Sequence, residues 1–185
     1  MRLIVLAAAL TILAGGPAAA QTAGPVEDTS SVEPNGHRII QLSVEVPAPP
    51  SEVWSALTTS EGWRRLGVSF AQVDFRTGGV IETGYGPDAA AGAPGNIRNQ
   101  IVAYVPGRML AIRNIQAPPA FPHAAEFAGT ATVMELDPAA DGRTTRVTLT
   151  ATGFAPGPAY DELHAFFLRG NGLTLEALRD SFAAD

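Results

Sequence analysis

The chain has 185 residues, no cysteine, 18 acidic residues against 12 basic ones that are all arginine, and a net charge of −6 with histidine neutral. This excludes zinc–thiolate sites, thiol nucleophiles, Schiff-base lysines and the lysine of a phosphate-binding loop. A nucleic-acid partner is not expected either, because affinity for polyanions rests on cations that neutralise phosphates.

Arg2 precedes an apolar run over 3–13, and Ala18, Ala19 and Ala20 stand before Gln21. The run is too short to span a bilayer, and small residues occupy an Ala-x-Ala site, so 1–20 reads as a secretory signal cleaved after Ala20. The expected product is exported, most simply periplasmic, with no membrane span after cleavage. Without disulfides its stability has to come from burial, which a chain of this length can supply. Residues 21–35 are polar and lack periodicity, with Pro25 and Pro34 as breakers, and read as a flexible leader to one domain over 36–183.

Past His37, the residues Ile40, Leu42, Val44 and Val46 alternate with Gln41, Ser43 and Glu45, the period of a strand with one buried face. Pro47, Pro49 and Pro50 end it. Ser51 is placed to cap a helix whose Val53, Trp54 and Leu57 share a face, and Ser60 a second one running through Trp63 and Leu66 to Gly67. Helices this short are marginal alone and must be held by packing.

Strand-like segments follow over 69–75, 80–85, 96–104, 109–115, 130–136 and 145–152, separated by turns such as Gly78-Gly79, Pro106-Gly107 and Asp141-Gly142. Two connections are longer. The stretch 86–95 is rich in Gly, Pro and Ala, and 116–128 carries Phe121, His123 and Phe127, aromatics suited to a cavity rim. A last helix over 159–182 turns Tyr160, Leu163, His164, Phe167, Asn171, Thr174, Leu175, Leu178 and Phe182 to one side. His164 and Asn171 interrupt that apolar face, and a buried polar group without a partner costs about 1–3 kcal/mol, so both should meet partners, water or a ligand.

With PPSEVWSALTTSEGWRR near the start, RTGGVIE in the second hairpin, VAYVPGRMLAI across the next and RVTLTATGF before the last helix, the chain resembles the START-like, or SRPBCC, superfamily. The branch it is most similar to is named after the activator of Hsp90 ATPase. The resemblance covers about 37–182 and implies an α+β helix-grip fold. In that fold a seven-stranded curved antiparallel sheet, with two short helices after its first strand, carries a long C-terminal helix across its concave face. The cavity that such folds enclose would be walled here by Trp63, Tyr85, Val102, Tyr104, Leu110, Ile112, Phe167 and Asn171, with Asn114, Phe121 and His164 beside them. Relatives often place an aromatic where this chain has Asn114 and Asn171, which implies a roomier and more polar cavity. An Hsp90-type partner is not expected, because an exported chain would not meet a cytosolic ATPase.

No residue set specifies a reaction. Gly-x-Ser-x-Gly and His-Glu-x-x-His are absent, and Gly84-Tyr85-Gly86 lacks the third glycine of a dinucleotide loop. Asp161 and His164 are spaced for one helix face, but three scattered histidines do not build a metal site, and neither metal nor cofactor is expected. Arg98, if turned inward, would favour a carboxylate ligand, while Arg113 alternates with Ile112 and Asn114 and belongs on the solvated face. The function read from this is noncatalytic binding of a small hydrophobic or amphipathic molecule. The alternative is a cavity enzyme of the polyketide cyclase or hydrolase type, with His164 as acid or base.

Overall fold

The computed structural model describes residues 24–183, so the expected signal over 1–20 lies outside the described residues. Two short strands come first, β1 (Glu27–Asp28) and β2 (Ser31–Val32), followed by the alternating strand β3 (Arg38–Val46). The helix pair is α1 (Pro50–Thr58) and α2 (Ser60–Arg65). Pro50 opens α1, where a missing N–H is no loss. The cap of α2 is Thr59 rather than Ser60: its hydroxyl accepts from Gly62 N at 3.0 Å, while Ser60 Oγ accepts from Val73 N at 3.0 Å and ties the helix to the sheet. Gly62 is required where the helices meet, since a Cβ there would lie 2.2 Å from the Ala56 carbonyl oxygen.

The meander continues through β4 (Phe70–Val73), β5 (Val80–Gly84), β6 (Ile97–Val105) and β7 (Met109–Gln116). A short α3 (Ala124–Ala128), then β8 (Ala131–Pro138), β9 (Thr145–Phe154) and the long α4 (Pro158–Asp180) complete it. Pairing is antiparallel throughout, in the order β1-β3-β9-β8-β7-β6-β5-β4, with β2 also on β3. The seven expected strands are all present, and α4 crosses the sheet as a helix-grip fold requires.

The stretch expected as a flexible leader is different where it is described. Glu27 and Asp28 pair with Ser43 and Leu42, and Ser31 and Val32 with Ile39 and Arg38. Between them Thr29 N donates to Gln41 O at 2.9 Å and Ser30 Oγ accepts from Gln41 N at 3.1 Å. Gly36, at φ +83°, makes the turn into β3. An edge strand exposed on both faces has no apolar alternation to read, and main-chain pairing alone holds it, which is why periodicity missed it.

The core lies where α4 rests on β3 and β9. Leu163, Leu175 and Leu178 of α4 are buried with Ile40, Leu42, Val44 and Val147 of the two strands. Each such side chain contributes roughly 1.5–3 kcal/mol by leaving water.

Two bulges break the register between β6 and β7. Ile101 pairs with Ile112 and Ala103 with Ala111, which leaves Val102 as an extra residue. Arg98 pairs with Gln116 and Asn99 with Asn114, which leaves Ile115 unpaired. A bulge shifts by one the parity that decides which side chains face inward.

Candidate functional site

A cavity of about 110 Å³ lies between α4 and the half of the sheet formed by β5 to β9. The sheet contributes Ile97, Ile112, Met134, Leu149 and Ala151 to its wall, and Phe154 stands at the end of β9. Trp63 reaches in from α2, Phe127 from α3 and Phe167 from α4. Trp63 is held in place by its indole N–H, which donates to Leu57 O at 2.9 Å. Phe127 and Phe167 stack with centroids 4.5 Å apart, so the long connection before β8 is fastened to the helix.

Polar groups are interleaved with these walls: Thr83, Asn99, Asn114, Thr130, Thr132, Asn171 and Thr174. Asn114 is 5% exposed and its Nδ2 donates to the carbonyls of Arg98 at 3.3 Å and Gln116 at 2.9 Å, and to Asn99 Oδ1 at 3.3 Å. It satisfies the main chain opened by the second bulge. Thr130 donates to Phe127 O and Thr174 to Gly170 O. Asn171 Nδ2 is buried without a partner.

Of the residues expected in the wall, the structure brings together Trp63, Tyr85, Ile112, Asn114, Phe167 and Asn171. Tyr85 is 61% exposed and stands at the mouth. The others lie elsewhere. Val102 is the bulged residue and is 39% exposed, because the parity that would turn it inward is broken there. Tyr104 packs against Phe75, itself edge-on to Trp54, and Leu110 is fully buried in the core. Phe121 backs the wall, stacked on Phe127, Phe166 and Phe167, without lining the space.

His164 is also outside. Its ring lies edge-on to Phe154 at 5.3 Å, on a helix position that faces Arg38 and Asp28. Burial, and secondly the charge of Arg38, hold its imidazole below the ordinary value, while Asp28 pulls the other way. The helix-face arithmetic that grouped it with Asn171 was correct in angle, but two turns along α4 it lies over β3 and not over the hollow. Asp161, its neighbour on the helix, pairs with Arg38. Among the described residues no group of acidic and histidine side chains is arranged to hold a metal ion.

Neither arginine supplies a charge to the cavity. Arg98 faces Glu82 across the β5–β6 pair, Nε to Oε2 at 3.9 Å, and Arg113 donates to Gln100 Oε1 at 3.0 and 3.2 Å.

Reading the sequence missed Asn99, Thr83, Thr130, Thr132, Met134 and Phe154 in the wall. The alternation of Thr130, Thr132 and Met134 within one predicted strand was a usable signal. It also missed the anchor of the Gly, Pro and Ala rich connection after β5. Glu82 is 9% exposed, and its Oε1 accepts from Gly92 N at 2.7 Å and Asn96 Nδ2 at 2.6 Å. Asn96 Nδ2 also donates to Ala90 O at 2.7 Å. This connection lies so close over Gly84 that a Cβ there would be 2.5 Å from both Ala89 Cβ and Asn96 Oδ1. No sequence spacing signals a buried carboxylate whose partners are loop amides.

A bent antiparallel sheet gripping one long helix, with a hollow between them, defines the START-like, or SRPBCC, class. Residues 37–183 match the family described as polyketide cyclase / dehydrase and lipid transport, and the chain belongs to that family. Among solved structures it is similar to the Aha1 dimer from Colwellia psychrerythraea, with a TM-score of 0.61 and 16% identity over 78% of this chain and 96% of that one. It is also similar to CalU16 from Micromonospora echinospora, with a TM-score of 0.60 and 21% identity over 86% of this chain and 75% of that one. A third likeness is to BexL, a di-domain ARO/CYC protein of the BE-7585A biosynthetic pathway, with a TM-score of 0.60 and 17% identity, covering 78% of this chain and 46% of that one. At these identities the likeness is one of fold. No curated protein sequence matches the chain.

Proposed function

We propose that this protein binds a small, mainly apolar molecule in the cavity beneath α4 and does not transform it. The observation that carries this reading is the wall itself: aromatic and aliphatic side chains, interleaved with uncharged amides and hydroxyls, border about 110 Å³, and among the described residues neither carboxylate nor imidazole lines it. An engineered apolar cavity of roughly 150 Å³ takes a benzene ring, so a guest held within this smaller space is at most of single-ring size. His164, the one candidate acid or base of the enzymatic alternative, faces Arg38 and Asp28 instead of this space.

The family's description names lipid transport beside cyclase and dehydrase activity, and noncatalytic carriage fits a cavity without acid–base groups. Export belongs to the same proposal. It rests on the apolar run and the Ala18-Ala19-Ala20 site, and among the described residues no helix is long and apolar enough to cross a membrane. Amino-terminal sequencing of the protein recovered from the periplasm should begin at Gln21.

Binding is tested by thermal unfolding with a neutral aromatic probe such as ethylbenzene. A ligand that binds only the folded state at 100 times its Kd adds about 2.7 kcal/mol, an easily read rise in Tm. Ala151→Phe, which fills the hollow from the sheet side, should abolish that rise. If the protein shows no rise up to the solubility of the probe, the cavity has no guest of this kind.

A further inference from the structure

The hydrogen bonds around the cavity are unbalanced, and the imbalance defines what a guest must offer. Two main-chain carbonyls, of Arg98 and Gln116, both bond the Asn114 side chain. Carbonyls only accept, so Asn114 must present its NH2 to them. The same NH2 has only two protons, so its contact with Asn99 Oδ1 at 3.3 Å shares the proton that points to Arg98 O, and this favours Asn99 with its oxygen toward Asn114. The Asn99 NH2 is left as the outer end of the relay, on the wall of the cavity, where the half-buried side chain has no protein partner among the described residues but is not sealed from water as Asn171 Nδ2 is. From the opposite wall, on α4, Asn171 also lines the space and has a buried Nδ2 without an acceptor.

Of the four threonine hydroxyls on the wall, those of Thr83 and Thr132 can donate or accept, and the other two are committed as donors. Thr130 and Thr174 have already given their protons to Phe127 O and Gly170 O. Their oxygens are left able to accept, which is not costly, whereas an N–H without an acceptor is. Charge is missing as well. Among the described residues no acidic side chain lines the cavity, and Arg113, the one cationic residue bordering it, is exposed, with its guanidinium turned to Gln100 on the outer face of the sheet. An ion entering this space would lose its hydration and meet no opposite charge.

Building on the cavity reading above, we propose that the guest is an uncharged, ring-sized molecule carrying an acceptor oxygen of the carbonyl type, received by Asn99 with Asn171 as second donor. The amide relay from the bulge through Asn114 to Asn99 is what selects it. Apolar walls supply affinity for any ring, and the two free NH2 groups discriminate in favour of a ketone, lactone or quinone edge over a plain hydrocarbon.

Isothermal titration with four probes of like size tests this: acetophenone, ethylbenzene, benzoate and benzylammonium. Acetophenone should bind at least fivefold more tightly than ethylbenzene, and neither ion should bind measurably. Asn99→Asp keeps the oxygen that Asn114 needs and replaces the NH2 by a second oxygen, so the ratio of acetophenone to ethylbenzene affinity should fall to about one. Asn171→Leu should lower the same ratio. In the 15N–1H spectrum the side-chain NH2 pair of Asn99 should shift with acetophenone and not with ethylbenzene. Equal binding of the two neutral rings overturns this inference and leaves the cavity reading standing. Binding of benzoate as tight as that of acetophenone overturns it too. If neither neutral ring binds, the cavity reading itself fails.

Discussion

The two halves of the concave face are made by the same strand meander and covered by the same helix, yet one is solid and the other hollow. Along β3 and the first part of β9 the inward positions are Ile40, Leu42, Val44 and Val147, and α4 meets them with Leu163, Leu175 and Leu178, while Leu149, Ala151 and Phe154 further along β9 border the hollow. On β5 to β8 the inward set includes Thr83, Asn99, Asn114 and Thr132, and α4 meets these with Asn171 and Thr174. Branched aliphatics interdigitate and exclude space, whereas short polar side chains neither fill it nor attract apolar partners across it. The hollow is therefore written in residue choice, since the backbone architecture is shared by both halves.

The largest test of this contrast is a pair of truncations. Leu178→Ala in the solid half should cost about 2–5 kcal/mol, and Thr132→Ala in the hollow half under about 1 kcal/mol, read from urea midpoints at constant m. Comparable costs would mean that the hollow half is as tightly packed as the other. Next in size is Glu82→Ala. It strands the Gly92 amide and leaves the Asn96 NH2 with Ala90 O alone, so a loss of about 1–3 kcal/mol is expected, with faster hydrogen exchange at Gly92.

A smaller change of opposite sign sharpens the comparison further. Asn171→Leu makes the hollow half more like the solid one by removing a buried, partnerless N–H, and should raise stability by about 1 kcal/mol. The smallest effect concerns His164. Its imidazole is held below the ordinary value in the folded chain, so the unfolded chain binds the proton more readily and acid favours unfolding. The stability this residue supports is complete above the ordinary imidazole pKa of about 6.5 and declines as pH falls below it. His164→Gln should flatten the slope of Tm between pH 7 and 5. An unchanged slope would mean that the ring is solvated and lies outside the solid half.

Legibility in the sequence followed the same division. Wherever apolar residues alternate or recur at helical spacing, as in Ile40 to Val46, Val147 to Ala151 and Leu163 to Leu178, both the element and its buried face could be read. At the hollow, parity failed at Val102 because one extra residue in β6 has no signature in composition. Tyr104 kept the inner face only because the same bulge restored it, and it serves a second aromatic cluster with Phe75 and Trp54. Asn171 stood out as a polar residue on an apolar helix face, but so did His164, which lies outside the cavity, and the wall including Asn114 was drawn from the resemblance to the family. The different states of Asn114 and Asn171, one saturated and one free, depend on carbonyls exposed by a bulge, which spacing does not encode.

The pairing of residues 27–32 along β3 also bears on how copies of the chain treat one another. A naked rim of nine residues would offer its amides and carbonyls to any passing strand, the usual opening for domain exchange and fibril growth. Here the protein's own amino-terminal ribbon occupies that rim, and Arg146 fastens it through Glu27. Shortening the chain to begin at Arg38 would bare that rim and should make the protein prone to self-templated assembly.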